Sequence, residues 1–219
     1  MGPIGWISWS KIYGFAFGAI LILFIASVLP GARCFAKTPP AAPPQAITCG
    51  LSESDKIANA KLSVPAFDYA PTTPSTARAL RDRGCHAQAA EAGVDYLIRS
   101  QVVSERDQSS VIFHIAQNLA LSGDERTAAW VVAAAKRPSQ TNDASFDWNT
   151  YVTGTWAFLR RDRTLLQTAY DRLFAQPGDG NQANAKVLGG LLQCYGEPYA
   201  SAYSPRCQAG LQGSPSLPR

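Results

Sequence analysis

The sequence predicts an all-α protein, and three observations support this fold class. A faint repeat runs along the chain, marked by Gly84, Gly123 and Gly196, with Arg161 at the equivalent third place; the steps are 39, 38 and 35 residues. Between these points apolar and small residues recur at helical spacing, and no stretch alternates like a β-strand for more than a few residues. Because a repeat of about 20–50 residues is typical of stacked helical hairpins, we expect about three to four antiparallel hairpins.

The same kinds of residue recur at fixed distances from each of these four turn points. A small residue lies seven positions before each point: Ala77, Ala116, Gly154 and Gly189. An apolar residue lies four positions before each point: Leu80, Leu119, Ala157 and Leu192. Because small residues let two helices approach closely, this pattern predicts close helix crossings within the stack.

The first part of the chain, residues 1–36, has the composition of a signal peptide or a membrane anchor. Residues 12–29 carry no charge and follow Lys11, and Ala36 offers a small residue at a cleavage site. The same apolar stretch is long enough to span a bilayer as an uncleaved anchor. Under either alternative we expect the bulk of the chain outside the cytoplasm. It would be periplasmic or secreted after cleavage, and held at the inner membrane without it.

Residues 37–72 are predicted to be a proline-rich linker followed by an irregular extension. The linker, residues 37–46, has four prolines and should be extended, while residues 47–72 show no clear period. The helical domain is expected at residues 73–207, which is long enough to bury one hydrophobic core. Residues 208–219 are expected to form a disordered tail.

Helix start and stop signals recur through the predicted domain. Pro74 opens the first helix and Gly84 ends it, while Ser104 opens a later helix with a pattern close to a capping box. Asp124 suits the first turn of the next helix, which Pro138 stops. The remaining predicted helices span residues 85–100, 146–160, 163–175 and 181–194.

Charge and cysteine content narrow the class of protein. Beyond Ala36 the chain has 18 basic and 16 acidic residues, a balance that argues against a nucleic-acid-binding protein. Four cysteines in an oxidising compartment indicate two disulfides, and three connectivities are open. We favour Cys194–Cys207, which closes a short loop, and Cys49–Cys85, which ties the extension to the first hairpin; free buried thiols are the alternative. The spacing of cysteines and histidines fits no metal site, and we expect no cofactor.

The stretch from Val111 to Pro138 resembles a tetratricopeptide repeat. The resemblance rests on the spacing of Ile112, Ile115, Ala116, Leu119, Gly123, Ala128, Val132, Ala135 and Pro138. The resemblance extends more weakly over residues 75–207. The period here is longer than that of the family, which is about 34 residues, and Arg161 replaces a turn glycine. Another α-hairpin fold with the same need for small residues at helix crossings is the alternative.

The resemblance implies that the inner face of the first helix of each hairpin lines a groove that binds another protein or peptide. The residues that it implies for this predicted groove are Arg78, Arg81, Phe113, Gln117, Trp148, Tyr151, Thr155, Lys186 and Gln193. The aromatic middle would anchor apolar side chains of the partner, and the basic residues would steer acidic flanks. Two alternatives stay open: the aromatic residues form core, or residues 47–72 fill the groove.

Candidate catalytic groups are few. His114 could act as a base oriented by Asn118 or Ser110, although such a histidine is more often a hydrogen-bonded packing residue. Two carboxylate pairs, Asp143 with Asp147 and Asp124 with Glu125, could serve a glycan hydrolase, but both lie at predicted helix starts, where capping explains them. The chain has no Gly-x-Ser-x-Gly, phosphate-loop or dinucleotide motif, so we expect no enzyme.

These observations together predict an exported, non-catalytic binding or scaffold module of the bacterial cell envelope. Its expected partner is another protein or a peptide segment, and no nucleic acid. Two other functions stay open. The first is a membrane-anchored accessory subunit of an envelope or secretion complex, associated with the membrane through residues 12–29. The second is a small helical glycan hydrolase.

Overall fold

The fold is seen in a computed structural model that describes residues 48–209, apart from residues 71, 102–103 and 141–145. All regular structure in this described part is helical, which confirms the predicted all-α class. The elements in chain order are α1 (Glu53–Asn59), a π-helical turn (Pro65–Tyr69), α2 (Ala77–Asp82), α3 (His86–Arg99), α4 (Glu105–Leu121), α5 (Glu125–Ala133), α6 (Trp148–Leu159), α7 (Arg163–Ala175), α8 (Asp179–Gln193), α9 (Tyr199–Ala202) and α10 (Pro205–Ala209). The predicted signal or anchor, the proline-rich linker and most of the predicted tail lie outside the described residues.

Side-chain caps explain where most of these helices begin. A side-chain oxygen accepts a hydrogen bond from a backbone N–H of the first turn at Ser52, Thr76, Ser104, Asp124, Asp147 and Asp162. At α1 the capping box is complete, because the Asp55 carboxylate also accepts from the Ser52 backbone N–H. This helix lies in the segment that was expected to be irregular, and its Ser-x-x-Asp start is the same signal that predicted α4.

All four predicted turn points have a left-handed backbone, and three of them also share one hydrogen bond. The φ angle is 79° at Gly84, 97° at Gly123, 59° at Arg161 and 102° at Gly196, all in the region that favours glycine. At the first three points the next residue donates its N–H to a carbonyl five positions earlier, at 2.8–2.9 Å: Cys85 to Leu80, Asp124 to Leu119 and Asp162 to Ala157. Arg161 therefore adopts the turn conformation that glycine adopts at the other two points, at the steric cost of a side chain.

Helix α5 ends earlier than the sequence predicts, at Ala133 instead of next to Pro138. The residues of the expected last turn bond to the start of α6. The Trp148 indole N–H donates to the Ala135 carbonyl at 2.7 Å, and Asn149 exchanges two hydrogen bonds of 2.8 Å with the Arg137 backbone. These contacts replace the helical bonds of that turn and fix the two ends of the intervening loop.

Each helix from α2 to α7 packs on the helix that follows it, and α6 also packs on α8. At the second contact an added Cβ on Gly154 would lie 2.4 Å from a Leu188 methyl carbon, so a glycine is needed for this close approach. Apolar residues form two core clusters, and α4 contributes to both. Val111 and Ile115 belong to the N-terminal cluster, and Phe113 belongs to the C-terminal one.

Both predicted disulfides, Cys49–Cys85 and Cys194–Cys207, are formed. The first joins the segment before α1 to the α2–α3 turn, and the second holds α10 against the end of α8. None of the helices in the described ranges is long and apolar enough to cross a bilayer. The segment predicted to be a signal or anchor, residues 12–29, lies outside those ranges.

Candidate functional site

The structure separates the nine residues of the predicted groove into three groups. Arg78, Arg81 and Gln117 line one surface pocket between α2 and α4. The second group, which we call the aromatic half, consists of four buried residues: Phe113, Trp148, Tyr151 and Thr155. Lys186 and Gln193 lie exposed on α8 and do not line that pocket.

The aromatic half is buried in the core, which is the alternative that the sequence analysis left open for these rings. Phe113 is 1% exposed, Tyr151 5% and Trp148 6%. The Phe113 ring lies 4.9 Å from the Tyr151 ring and 5.1 Å from the Trp148 ring between centroids. The Arg137 guanidinium lies 4.1 Å from the Trp148 centroid. A partner could reach these rings only if the core opened.

The C-terminal segment closes this region of the molecule. Tyr199, at the start of α9, is fully buried, with its ring 5.8 Å from the Phe158 ring of α6. Its hydroxyl accepts a hydrogen bond from the Gln117 side-chain amide at 3.3 Å, and its ring stacks on Tyr203 at 5.4 Å. Burial raises the pKa of Tyr199 and of Tyr151 well above 10, so both phenols stay neutral. Residues 47–72 were one alternative for filling the predicted groove; at the aromatic half the segment α9 lies there, while Tyr69 of 47–72 lines the pocket at the other end.

The surface pocket, which we call the basic pocket, has a volume of about 340 Å³. Its lining comes from the π-helical turn, α2, α4 and the end of α9: Tyr69, Arg78, Arg81, Asp82, His114, Gln117, Leu121 and Tyr203. The sequence predicted three of these residues as partner-binding. The π-helical turn and the C-terminal segment supply walls that no local pattern indicated.

Two arginines of α2 give the basic pocket its charge. Arg78 is held by Asp82, since its Nε lies 2.8 and 2.9 Å from the two carboxylate oxygens. Arg81, half-buried one turn later in the same helix, has no hydrogen-bond or ion-pair partner among the described residues. Arg81 is therefore the cation of this pocket that is available to a ligand.

His114 faces the same pocket and is oriented by a carboxylate that the sequence analysis missed. Its Nδ1 lies 2.5 Å from Oδ2 of Asp68, which is 1% exposed and belongs to the π-helical turn. The expected neighbours do not hold it: the Ser110 hydroxyl donates to the Arg106 carbonyl, and the side-chain oxygen of Asn118, Oδ1, is buried without a partner among the described residues. A pairing that spans 46 positions leaves no local signal in the sequence.

Of the two predicted carboxylate pairs, Asp147, Asp124 and Glu125 lie among the described residues, and all three bond to other groups of the fold. Asp147 caps α6, is 4% exposed, and accepts from Gln140 and from Arg172 Nε at 2.8 Å. Burial by itself would raise the pKa of Asp147, but these hydrogen bonds and those from Thr150 and Gln176 outweigh it, so the pKa lies below its ordinary value. Asp143 lies outside the described residues.

The second pair is also used inside the fold. Asp124 caps α5, and Glu125 pairs with Arg161 at 2.8 Å and accepts from the Tyr199 backbone N–H. Among the described residues, one group of metal-ligating side chains lies close enough together to share an ion: Cys194, Glu197 and Cys207. Both sulfurs of that group are bonded to each other in the disulfide, so they are not free to bind a metal.

No protein-family model matches this chain, and no curated protein or solved structure is significantly similar to it. The assignment of a function therefore rests on the geometry and charge of the basic pocket.

Proposed function

We propose that this chain is an exported, non-catalytic binding module of the bacterial cell envelope, which captures a segment of another protein at the basic pocket. The observation that supports it best is the meeting of Arg78, Arg81 and Gln117 in one pocket. These residues come from corresponding helices of the predicted repeat. The two disulfides favour an oxidising compartment, in agreement with the predicted export.

In this proposal the helices form a stack of tetratricopeptide-like hairpins. The shared turn geometry at Gly84, Gly123 and Arg161 supports it, as does the packing of each helix on the next. Helices α2, α4, α6 and α8 would then be the first helices of successive hairpins. The partner would meet the inner face only at its α2–α4 end, because α9 covers the aromatic half.

The pocket suits an acidic group on the partner. Asp82 holds Arg78 in one orientation, so less side-chain entropy is lost when a ligand binds there. Arg81 offers a planar set of N–H donors that matches the two oxygens of a carboxylate. The partner's acidic group would be steered by this charge and fixed by the hydrogen bonds.

The test is capture of a partner from an envelope extract with the full chain as bait. We expect Arg81→Ala to lower the yield of the captured partner by about tenfold or more, since it removes the free cation. Lys186→Ala is the matched control, because it removes an exposed charge outside the pocket. Equal capture by wild type and Arg81→Ala would contradict the proposed site.

A second candidate function is hydrolysis, and the Asp68–His114 pair favours it. A buried carboxylate that holds one nitrogen of an imidazole leaves the other nitrogen to take a proton from an attacking water. The expected substrate is an envelope glycan. If this function is correct, purified wild-type chain releases soluble fragments from isolated cell walls, and His114→Gln releases none. Equal release by the two proteins, or none from either, would count against hydrolysis.

A further inference from the structure

We propose that the basic pocket binds a small oxyanion, a carboxylate or a phosphate group, and that the anion binds together with a proton on His114. The inference rests on the proposed function, because it names the chemical group of the partner that the pocket would hold. It also adds a property that the proposed function does not require, which is that binding takes up a proton.

The net charge of the basic pocket depends on the protonation of His114. Asp82 pairs with Arg78, and Asp68 lies directly behind His114. Two cations and two anions leave no net charge while the imidazole is neutral. Protonation of His114 makes the pocket positive by one unit. An anion is therefore bound most strongly when the imidazole is protonated.

The second step is the position of the Asp68–His114 pair. The buried Asp68 carboxylate accepts a hydrogen bond from Nδ1–H of His114. The low dielectric around this carboxylate strengthens its interaction with a protonated imidazole. Nδ1 is the ring nitrogen with a hydrogen-bond partner among the described residues. On protonation Nε2 becomes a second N–H donor, and it has no competing acceptor within the described part of the chain.

The third step is the remaining environment of the imidazole. The titratable and charged groups around it are Asp68 and Tyr69 of the π-helical turn, Arg78, Arg81 and Asp82 of α2, and Tyr203 after α9. The Tyr69 ring meets the imidazole edge-on at 5.6 Å between centroids. Asp82 is paired with Arg78 and Asp68 with the imidazolium, so Arg81 is the charge left over for a bound anion, which would also accept a hydrogen bond from Nε2–H of His114.

The size of the pocket limits the ligand. A volume of about 340 Å³ lies at the lower end for ligand sites, and it holds a terminal group or one side chain but no long stretch of polymer. The carboxylate of a peptide end or an acidic side chain fits this description, and so does a phosphate group. Both present oxygens that an arginine can bind in pairs.

The test uses NMR spectra of the two imidazoles of the full chain, His86 and His114, while small anions are added. His86 lies at the start of α3, does not line the basic pocket, and serves as an internal reference. The probes are an N-acetylated dipeptide with a free carboxylate, its C-terminal amide, and inorganic phosphate. We expect the anions to shift the His114 signals and leave those of His86 in place.

The pH dependence and three variants complete the experiment. We expect binding at about pH 5.5 to be at least tenfold tighter than at about pH 8, because the proposed binding takes up a proton at His114. Arg81→Ala should weaken binding by about tenfold or more, and Lys186→Ala should not change it. Asp68→Asn keeps the size of the buried group and removes the carboxylate that favours an imidazolium, so it should reduce the difference in binding between the two pH values.

The outcomes separate the ligand sources and the two proposals. Binding of the free acid but not of the amide identifies a peptide carboxylate, and stronger binding of phosphate identifies a phosphorylated ligand. No shift at His114 with either anion, or equal binding at both pH values, overturns the inference. If capture from the extract depends on Arg81 while no small anion binds, the inference fails and the proposed function stands. If anions bind but capture does not depend on Arg81, the proposed function fails.

Discussion

The aromatic half and the basic pocket contain residues that the sequence predicted for the same groove, yet one is core and the other is open. Phe113, of α4, is almost fully buried, while Arg81, of α2, stays half-exposed and has no partner among the described residues. The difference follows from solvation, because burying an aromatic ring is favourable and burying an unpaired charge is costly. A predicted groove position thus stays exposed where burial of its side chain would be costly.

The largest effect should come from uncovering the aromatic half at Tyr199. We expect Tyr199→Ala to lower the free energy of unfolding by about 3–5 kcal/mol, because it leaves a cavity against Phe158 and removes the acceptor of the Gln117 amide. Urea unfolding followed by circular dichroism measures this. Trp130→Ala is the control, since Trp130 is 73% exposed and its loss should cost far less. Similar losses in the two variants would show that α9 is not part of the core.

Removing the Cys194–Cys207 bond should weaken the packing of α9 over the aromatic half. The bond spans 13 positions, and the entropy of closing such a loop is worth about 3 kcal/mol of stability, so Cys194→Ser with Cys207→Ser should lose about that amount. Hydrogen exchange at the Tyr199 backbone N–H should also become faster. Replacing Cys49 and Cys85 by serine is the control, because that bond lies at the other end of the domain. Faster exchange at Tyr199 only in the control would contradict the assignment.

A smaller effect on stability should come from Asp147, which caps α6, the helix that carries three of the four residues of the aromatic half. The pKa of Asp147 is depressed in the folded chain, so its stabilising contribution is full above the ordinary value of 3.8 and is lost as the pH falls through the folded value. We expect Asp147→Asn to cost about 1–2 kcal/mol at neutral pH and to flatten the acid limb of the stability curve. Urea unfolding between about pH 2 and 7 tests this. The exposed Asp171→Asn should follow the wild-type curve.

The smallest effect on stability should come from the basic pocket. Arg81 has no ion-pair or hydrogen-bond partner among the described residues, so we expect Arg81→Ala to change the free energy of unfolding by less than about 0.5 kcal/mol. The same variant should lose partner capture. Urea unfolding and the capture experiment, run side by side, measure both properties. A large loss of stability at Arg81 would place it with the aromatic half as a structural residue.

The sequence could predict features whose cause is local. Cap residues such as Ser104 and Asp124 satisfy backbone N–H groups three positions away, so the helix starts were readable. The turn at Arg161 was readable from its spacing in the repeat, even though its residue type points away from a left-handed φ. The two disulfide pairs are the connectivity that the sequence analysis favoured among three, because Cys194 and Cys207 close a short loop. The helix α1 carried the same capping signal and was missed beside the prolines of its segment.

The sequence by itself determined the helical class, the turn positions and the charge that the basic pocket carries. Only the tertiary structure decided which inner positions are covered and which are open. The reason is that the segments that bury or contact these positions are distant along the chain. Helix α9 packs on α4, and Asp68 contacts His114 across 46 positions. Helical periodicity reports the direction of a side chain, whereas burial depends on what the rest of the chain places against it.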